Sequence, residues 1–456
     1  MLKKDIIAAI STAQGQGGIG VIRVSGEGSI ALVDKIFEPV SGKTLRETKG
    51  YTARFGRVFD GQEELDEAVV LVFRAPYSYT GENVVEISCH GGLYVTRRIL
   101  RLVLESGARP AEPGEFTKRA FLNGKMDLLK AESVMKIIEA TGKNAARAAV
   151  AANEGAISRQ IDAVKAALVE IVAQLSVWAD YPDDETFNPD SDELWKKLDS
   201  CQEALATLVS NYDNGKALIN GLDTAIVGAP NVGKSTLMNL LSGFEKSIVT
   251  QIPGTTRDVV EETVNLGEVT LRISDTAGIR ATDDPVEVIG VDRAKSRLKE
   301  AELVLFVLDG TRALTEEEVA LFDLVKESKA IAIINKSDLV QQVNIGDVEP
   351  FFEAVIRMSA KNGDGVRRLE EAILQVVSTE KVDPSVGILQ TERQLVAVKN
   401  ALRALKAASV ALKEGVTLDA VTVLVSDAVD ELFVLTGEKA TQVVVDEIFS
   451  KFCVGK

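Results

Sequence analysis

The chain has 456 residues, 46% of them hydrophobic, enough for about three domains with real cores at roughly 150 residues each. Its net charge of −16 and pI near 4.9 oppose a broad, non-specific grip on nucleic acid, which needs clustered Lys and Arg, so any RNA contact is expected to be local or made through a partner. Three scattered cysteines, Cys89, Cys201 and Cys453, suggest neither a disulfide framework nor a zinc site, and without an apolar run of about 18 residues no membrane-inserted helix is expected, so a reducing cytoplasm is the expected setting.

In chain order, Ile19–Ser25, Glu67–Phe73 and Asn83–Ser88 are β-branched runs divided by Gly, Pro and Ser clusters, and they read as strands. Ser29 to Phe37 and Leu93 to Ser106 carry helical spacing. Residues 1–118 therefore predict an α+β domain. Around Phe116 the composition changes, and 119–215 reads as helical. Ala131 to Val150 and Ala156 to Trp178 are Ala-rich, with apolar residues at three- and four-residue steps. The acidic, proline-containing stretch Asp180 to Glu185 predicts a break. Residues 216–379 alternate strands with helices as in a doubly wound sheet. Helices return over 380–456, as Glu392 to Lys413, Asp419 to Leu435 and Thr441 to Phe452. The pattern predicts a multidomain α/β protein in which a P-loop domain is inserted into an all-α domain. The two helical halves are expected to pack together, because their apolar faces would otherwise lack a partner.

The chemistry concentrates in the inserted domain. Gly228-Ala-Pro-Asn-Val-Gly-Lys-Ser235 fits GxxxxGK[ST] between a strand, Thr224 to Gly228, and a helix from Thr236. Gly228 and Gly233 let backbone wrap a phosphate chain, with Asn231, Val232 and Thr236 in the same cradle. Lys234 would reach the outer phosphates, and Ser235 would be a magnesium ligand. Asp275, Thr276, Ala277 and Gly278 follow an alternating strand, which puts a carboxylate at a strand end facing the metal and γ-phosphate. Asn335, Lys336 and Asp338 follow the apolar run Ala330 to Ile334. A carboxylate such as Asp338 can accept from guanine N1–H and the N2 amino group together, a donor pair that adenine lacks. Ser359, Ala360 and Lys361 complete an order of four signals that predicts a GTP site. Ile279 stands where Ras-like proteins place a water-orienting glutamine, so another group must place the water.

These signals, the helical flanks and the closing Phe452-Cys-Val-Gly-Lys456 together resemble the MnmE family of tRNA modification GTPases, also called TrmE, over essentially the whole chain. Especially specific are Gly15-Gln-Gly-Gly-Ile-Gly-Val-Ile-Arg23, Tyr79-Thr-Gly-Glu-Asn83, His90-Gly-Gly92, Arg109-Pro-Ala-Glu-Pro-Gly-Glu-Phe116 and Arg119-Ala-Phe-Leu-Asn-Gly-Lys125. The resemblance implies an N-terminal domain that mediates homodimerisation and binds a tetrahydrofolate derivative, 5-formyl or 5,10-methylene, through Arg23, Glu86 and Lys125, with Lys456 close by. Such charges suit a pterin edge and a glutamate tail, although each alone would be an ordinary surface charge. It also implies modification at C5 of the wobble uridine of certain tRNAs, with a carboxymethylaminomethyl or aminomethyl group. The partner would be a flavoprotein, MnmG or GidA, in a heterotetramer. The chain has no GxGxxG context of its own.

For hydrolysis, the resemblance implies pairing of two nucleotide domains, with a potassium ion in place of an arginine finger. Asn231, Thr250, Ile252 and Thr255 match its ligands, within the loop that also holds Gln251, Pro253 and Gly254. Thr256 matches the threonine that completes the magnesium shell, and Glu287 the carboxylate that positions the attacking water. Cys453 has two readings, a nucleophile toward C6 of the pyrimidine or a small apolar residue seating the tail. No neighbouring base activates it. His90 is read as part of a tight turn. The competing reading, a ribosome-assembly or regulatory GTPase without base chemistry, would call for a basic RNA-binding appendage, whereas these C-terminal helices are mixed in charge.

Overall fold

Alternation of apolar and polar residues builds the first sheet. The computed structural model describes residues 5–13, 15–180, 191–243, 261–274, 301–326, 328–376 and 383–456. The N-terminal elements are β1 (Ile7–Ile10), β2 (Ile19–Ser25), α1 (Ser29–Val33), β3 (Phe37–Pro39), β4 (Thr52–Asp60), β5 (Glu63–Phe73), β6 (Val84–His90), α2 (Leu93–Glu105), β7 (Arg109–Pro110), α3 (Glu115–Leu122) and α4 (Leu128–Glu139). The strands form one sheet in the order β3-β4-β5-β6-β2-β1-β7, antiparallel except where β7 runs parallel to β1. Ile22, Val24, Val70, Val72, Val85 and Ile87 fill one side together with Ile99 and Val103 of α2. The opposite side carries Arg23 and Glu86 in register, then Leu71, with Val69 and Phe55 exposed one row away.

The helix expected over 29–37 stops at Val33. Asp34 Oδ1 accepts the Leu45 N–H at 2.6 Å, and Phe37 pairs with Val58 on β4. Strand β4, absent from the pattern reading, is interrupted in sequence by Gly56. A Cβ there would collide with the Glu38 carbonyl, so the residue that obscures the strand is what lets β3 approach it.

The helical segment continues as α5 (Lys143–Asn153), α6 (Ala156–Asp180) and α7 (Ser191–Asn220). The single helix expected over 131–150 is two, α4 and α5, because Gly142 adopts extended backbone, φ −140° and ψ 166°, as the N-cap of α5. The α/β domain follows as β8 (Leu222–Val227), α8 (Lys234–Gly243), β9 (Glu261–Leu266), β10 (Val269–Ser274), β11 (Leu303–Asp309), α9 (Glu316–Val325), β12 (Ala330–Asn335), β13 (Ala354–Arg357) and α10 (Val366–Val376). Its sheet has the order β13-β12-β11-β8-β10-β9. All neighbours run parallel except β9, which pairs antiparallel with β10. Strand β11 is apolar at consecutive positions because helices cover both faces. Leu303, Leu305 and Val307 meet Leu237, Leu369 and Ile373, while Val304, Phe306 and Leu308 meet Phe322 and Phe352. The chain closes with α11 (Glu392–Lys413), α12 (Leu418–Thr436) and α13 (Gln442–Ser450). Helix α11 lies against α7, where Gln202 Nε2 donates to Ser409 Oγ at 2.6 Å.

The chain divides into two compact units. One comprises Met1–Met135, Leu168–Asp180 and Leu418–Lys456, the other Lys136–Ala167 and Tyr181–Thr417.

Candidate functional site

In the second unit, the phosphate-type loop is a run of unusual backbone between β8 and α8. Gly228, Asn231 and Gly233 have φ of 147°, 62° and 101°. A Cβ on Gly228 would strike the Val307 carbonyl of β11, and one on Gly233 would strike Asn335 Nδ2. Glycine is therefore required twice over, by dihedral and by space. Val232 is buried and anchors the loop, while Asn231, Ser235 and Thr236 are exposed. Lys234 Nζ donates to the Gly228 and Ala229 carbonyls, each at 2.7 Å, which holds the ammonium against the loop.

Asn335 joins three segments. Its side chain is buried, its Nδ2 donates to Val232 O at 2.9 Å, and its Oδ1 accepts from Ala360 N at 2.9 Å. Lys336, at φ 62°, donates through Nζ to Asn231 O at 3.2 Å and to Asp309 Oδ2 at 2.6 Å. Burial would raise the Asp309 pKa, but bonds from Lys336 and Thr311 outweigh it and bring it down to about 2. Asp338 is exposed, and its Oδ1 accepts from the buried Ser359 Oγ at 2.6 Å. That bond holds the Asp338 carboxyl below the usual carboxylate range. An ionised acid with one oxygen fixed by a serine can accept from a paired N–H edge. Lys361 is exposed in the turn that follows. Thus Asn231, Val232, Gly233, Asn335, Lys336, Asp338, Ser359 and Ala360 are brought together by direct hydrogen bonds and close approach. The sequence reading missed Asp309, although a carboxylate ending a buried strand is a signal for it. Thr250, Gln251, Ile252, Pro253, Gly254, Thr255, Thr256, Asp275, Thr276, Ala277, Gly278 and Glu287 lie outside the described residues.

In the first unit, Arg23 and Glu86 face each other across β2 and β6, with Nε to Oε1 and NH2 to Oε1 both at 2.8 Å. The Arg23 guanidinium carbon also stands 5.6 Å from the centroids of both the Tyr79 and Phe116 rings. The last residues seat beside this pair. Gly455 O accepts from Ser11 Oγ at 3.1 Å and from Arg23 NH1 at 3.5 Å. Cys453 O accepts from Gly114 N at 3.3 Å, and Lys456 O from Phe116 N at 3.2 Å. Gly455 has φ 100°, and a Cβ there would collide with Ile10 O. Cys453 is half-buried and packs against the apolar cluster of Leu128, Val445, Phe449 and Phe452. Lys125 reaches the Tyr79 loop, its Nζ donating to Pro76 O at 3.1 Å and its chain lying beside Gly81.

An ion network centred on the buried Arg119 and Glu115 fixes the start of α3, from which Gly114 and Phe116 hold the tail. Arg119 donates to Asp5 Oδ1 at 2.7 Å, to Glu82 Oε2 at 3.1 Å and to Glu115 Oε1 at 3.0 Å, and Arg109 reaches Glu115 Oε2 at 2.8 Å. Burial would raise the Glu115 pKa, but the arginines and the Glu112 N–H lower it. Ser11, Tyr79 and Phe116 were not read from sequence as parts of this site, because strand pairing and the tail alone bring them to it. His90, expected in a tight turn, ends β6, and its Nδ1 stands 2.6 Å from Asp66 Oδ1.

The family model described as GTP-binding protein TrmE N-terminus matches residues 6–125, and the one described as MnmE helical domain matches residues 128–453. A protein of Acetivibrio thermocellus described as tRNA modification GTPase MnmE is 39% identical over 461 residues, covering 100% of both chains. Its counterpart in Lactococcus lactis is 42% identical over 454 residues, covering 99% of this chain and 98% of that one. Among solved structures, Era of Aquifex aeolicus is 30% identical, covering 40% of this chain and 66% of that one, with a TM-score of 0.28.

Proposed function

The chain belongs to the MnmE family of tRNA modification GTPases, and on that premise we propose that GTP binds at the Gly228–Ser235 loop to drive C5 modification of a wobble uridine. The observation that carries the nucleotide reading is the double bond-making of Asn335, whose one buried amide ties the phosphate loop to the Ser359–Lys361 segment. That tie sets the distance between a phosphate cradle and the base-reading Asp338. Preorganised donors of this kind need no rearrangement when charge develops on a transferred phosphoryl group.

In this reading Lys234 pairs with the outer phosphates, Asp338 accepts from the guanine edge, and Glu287 orients the attacking water. Ser235 and Thr256 would hold magnesium, and Asn231, Thr250, Ile252 and Thr255 would hold potassium. The exposed, positive-φ Asn231 at the loop mouth suits such a role, since its backbone carbonyl is already engaged by Lys336. These cations supply charge neutralisation for the transferred phosphoryl group. The first unit would hold a tetrahydrofolate one-carbon donor, 5-formyl or 5,10-methylene. Glu86 would accept from the amide-like pterin edge, and Arg23, Lys125 and Lys456 would attract the glutamate tail. Arg23, fixed between two rings and a carboxylate, loses little freedom when it binds an anion.

A flavoprotein of the MnmG (GidA) type would complete the reaction in a heterotetramer built on a homodimer of this chain, acting on tRNA in the cytoplasm. The exposed apolar Phe55 and Val69 on the same sheet face as Arg23 and Glu86 support a dimer joined there. The acidic chain leaves much of the tRNA contact to the partner. Mass spectrometry of tRNA nucleosides from cells lacking the protein, complemented with wild type or with Lys234→Ala, tests the whole reading. Loss of a C5-modified wobble uridine, restored by wild type alone, is the expected result. Unchanged nucleosides would overturn it.

A further inference from the structure

The hairpin β9–β10 joins two stretches that the sequence assigns to the phosphates. Thr256 lies shortly before β9, and Asp275 directly follows β10. The other end of the hairpin, its turn at Gly267 and Glu268, lies roughly 20 Å along the strands at about 3.3 Å per residue. This far end is fastened to the helical segment. Asn265 Nδ2 donates to Thr141 O at 2.7 Å, and Asn144 Nδ2 donates to Glu268 O at 3.1 Å. Asn265 Oδ1 in turn accepts from Thr270 Oγ1 at 3.0 Å. Asn144 and Thr270 are both buried.

The fit leaves no room for another carbon. A Cβ on Gly142 would collide with Thr270 Oγ1, although its φ of −140° suits any residue. Gly221, through which the chain enters the sheet from α7, has φ 76° and would place a Cβ 2.9 Å from Thr270 O. On the domain's own side, Glu370 of α10 accepts the Glu268 N–H at 3.3 Å. The added pair Lys143–Glu268, at 3.6 Å and exposed, contributes little. Helix α5 starts at this contact, and just beyond its end Gly387, in the segment leaving the sheet domain, packs against Ala156 and Ile157. The hairpin turn thus meets the start of α5, the entry at Gly221 packs on Thr270 of the same hairpin, and the exit at Gly387 packs just past the end of α5.

We propose that this contact is the coupling joint between hydrolysis and modification, with Gly142, Asn144 and Asn265 as positioning residues. A six-residue antiparallel ladder is stiff along its axis, so a shift at the phosphate end is delivered to the Thr141–Asn144 loop rather than absorbed in the turn. The proposal rests on the family activity, GTP hydrolysis and tRNA modification in one chain, together with the nucleotide site proposed above. Coupling of this kind requires an element whose position both sites bias, and the hairpin runs in sequence between the two phosphate stretches while its turn is bonded to Thr141 and Asn144 of the helical segment.

The decisive variants are Gly142→Ala and Gly142→Ala/Thr270→Ala in the full-length chain. The single change drives a methyl into Thr270 Oγ1, and the second removes that atom, leaving the Thr270 Cβ at an ordinary 3.6 Å. Steady-state GTP hydrolysis is measured on purified protein, and the tRNA nucleoside lost in a null strain is measured in complemented cells. For Gly142→Ala, hydrolysis within about twofold of wild type and a fall of about tenfold in the nucleoside are expected, with recovery in the double variant. Full modification in Gly142→Ala, no recovery in the double variant, or an equal fall in hydrolysis would each overturn the proposal. Should Gly142→Ala not accumulate as folded protein, Asn265→Ala removes the bond to Thr141 without adding bulk. The same split is expected there, and intact modification overturns the proposal. Lys234→Ala, run alongside, reports on the nucleotide site by itself.

Discussion

The two candidate sites are built in opposite ways. The loop at Gly228–Ser235 is contiguous in sequence, and its shape comes from backbone dihedrals at three positions. Among the described residues its long-range support includes the neutral amide of Asn335 and the ion pair Lys336–Asp309. The Arg23 site has no contiguous motif. It assembles Arg23, Glu86, Tyr79, Phe116 and a tail more than 430 positions away in the chain, and it stands on a network of five charged groups centred on the buried Arg119 and Glu115. A site made of local backbone tolerates distant change, whereas one made of distant charges depends on every partner, because one unpaired buried charge costs more than the intact pair stabilises.

The largest effect expected on the local site is from Lys234→Ala, which should cut GTP turnover by about a thousandfold or more, the scale of losing a cation that stabilises phosphoryl charge. Single-turnover hydrolysis measures it. The first unit should stay folded, and loss of its thermal transition would break the contrast between the sites. In the other direction, Arg119→Ala removes the buried cation that Asp5, Glu82 and Glu115 share, leaving Glu115 only Arg109 and the Glu112 N–H, and is expected to destabilise the first unit by about 3–5 kcal/mol. Calorimetry should show that transition fall while GTP still protects the second unit. A merged transition would show that the two units do not behave separately.

Smaller changes sharpen the contrast. Asp338→Asn should weaken GTP binding by about tenfold or more and improve xanthine nucleotide binding, because a charged hydrogen-bonding partner becomes a neutral one. Unchanged selectivity in competition titrations would remove Asp338 from base recognition. Gly455→Ala should unseat the tail without altering GTP turnover. Cys89 and Cys201 are buried while Cys453 is half-buried, so native thiol labelling should quicken at Cys453 by about tenfold, for a shift of a kcal/mol or so in tail docking. Unaltered labelling would mean that the tail is held by Phe452 and its neighbours alone.

The smallest effect is a pH dependence of the local site. The folded Asp309 value of about 2 lies below its ordinary 3.8, so the stabilisation it contributes is complete above about pH 4 and is lost as pH falls from there through about 2. Acid unfolding of Asp309→Asn should show a shallower slope in that window. An identical slope would mean that Lys336 is held by Asn231 O and solvent rather than by the acid.

Much of the second unit was legible because its signals are local. The glycines of the loop report positive φ, and the buried strands β11 and β12 are apolar at consecutive positions since both faces are covered. Helix α11 has the bounds read from its periodicity, with Thr391 capping its start by accepting from Gln394 N. Strand β4 was hidden by Gly56, and the division of 131–150 by Gly142, since a glycine needed for close approach is written the same way as a glycine in a turn.

By itself the sequence determined the family and the order of strands and helices around the phosphate loop. These follow from spacing along the chain, because dihedral preference and hydrophobic period act over a few residues. Tertiary structure alone decided that Asn335 would bind the loop to Ala360, that Gly142 would abut Thr270, and that Gly455 would lie on Ile10 beside Arg23. Those outcomes depend on which distant surfaces meet without room for one more carbon, and no local preference encodes that distance.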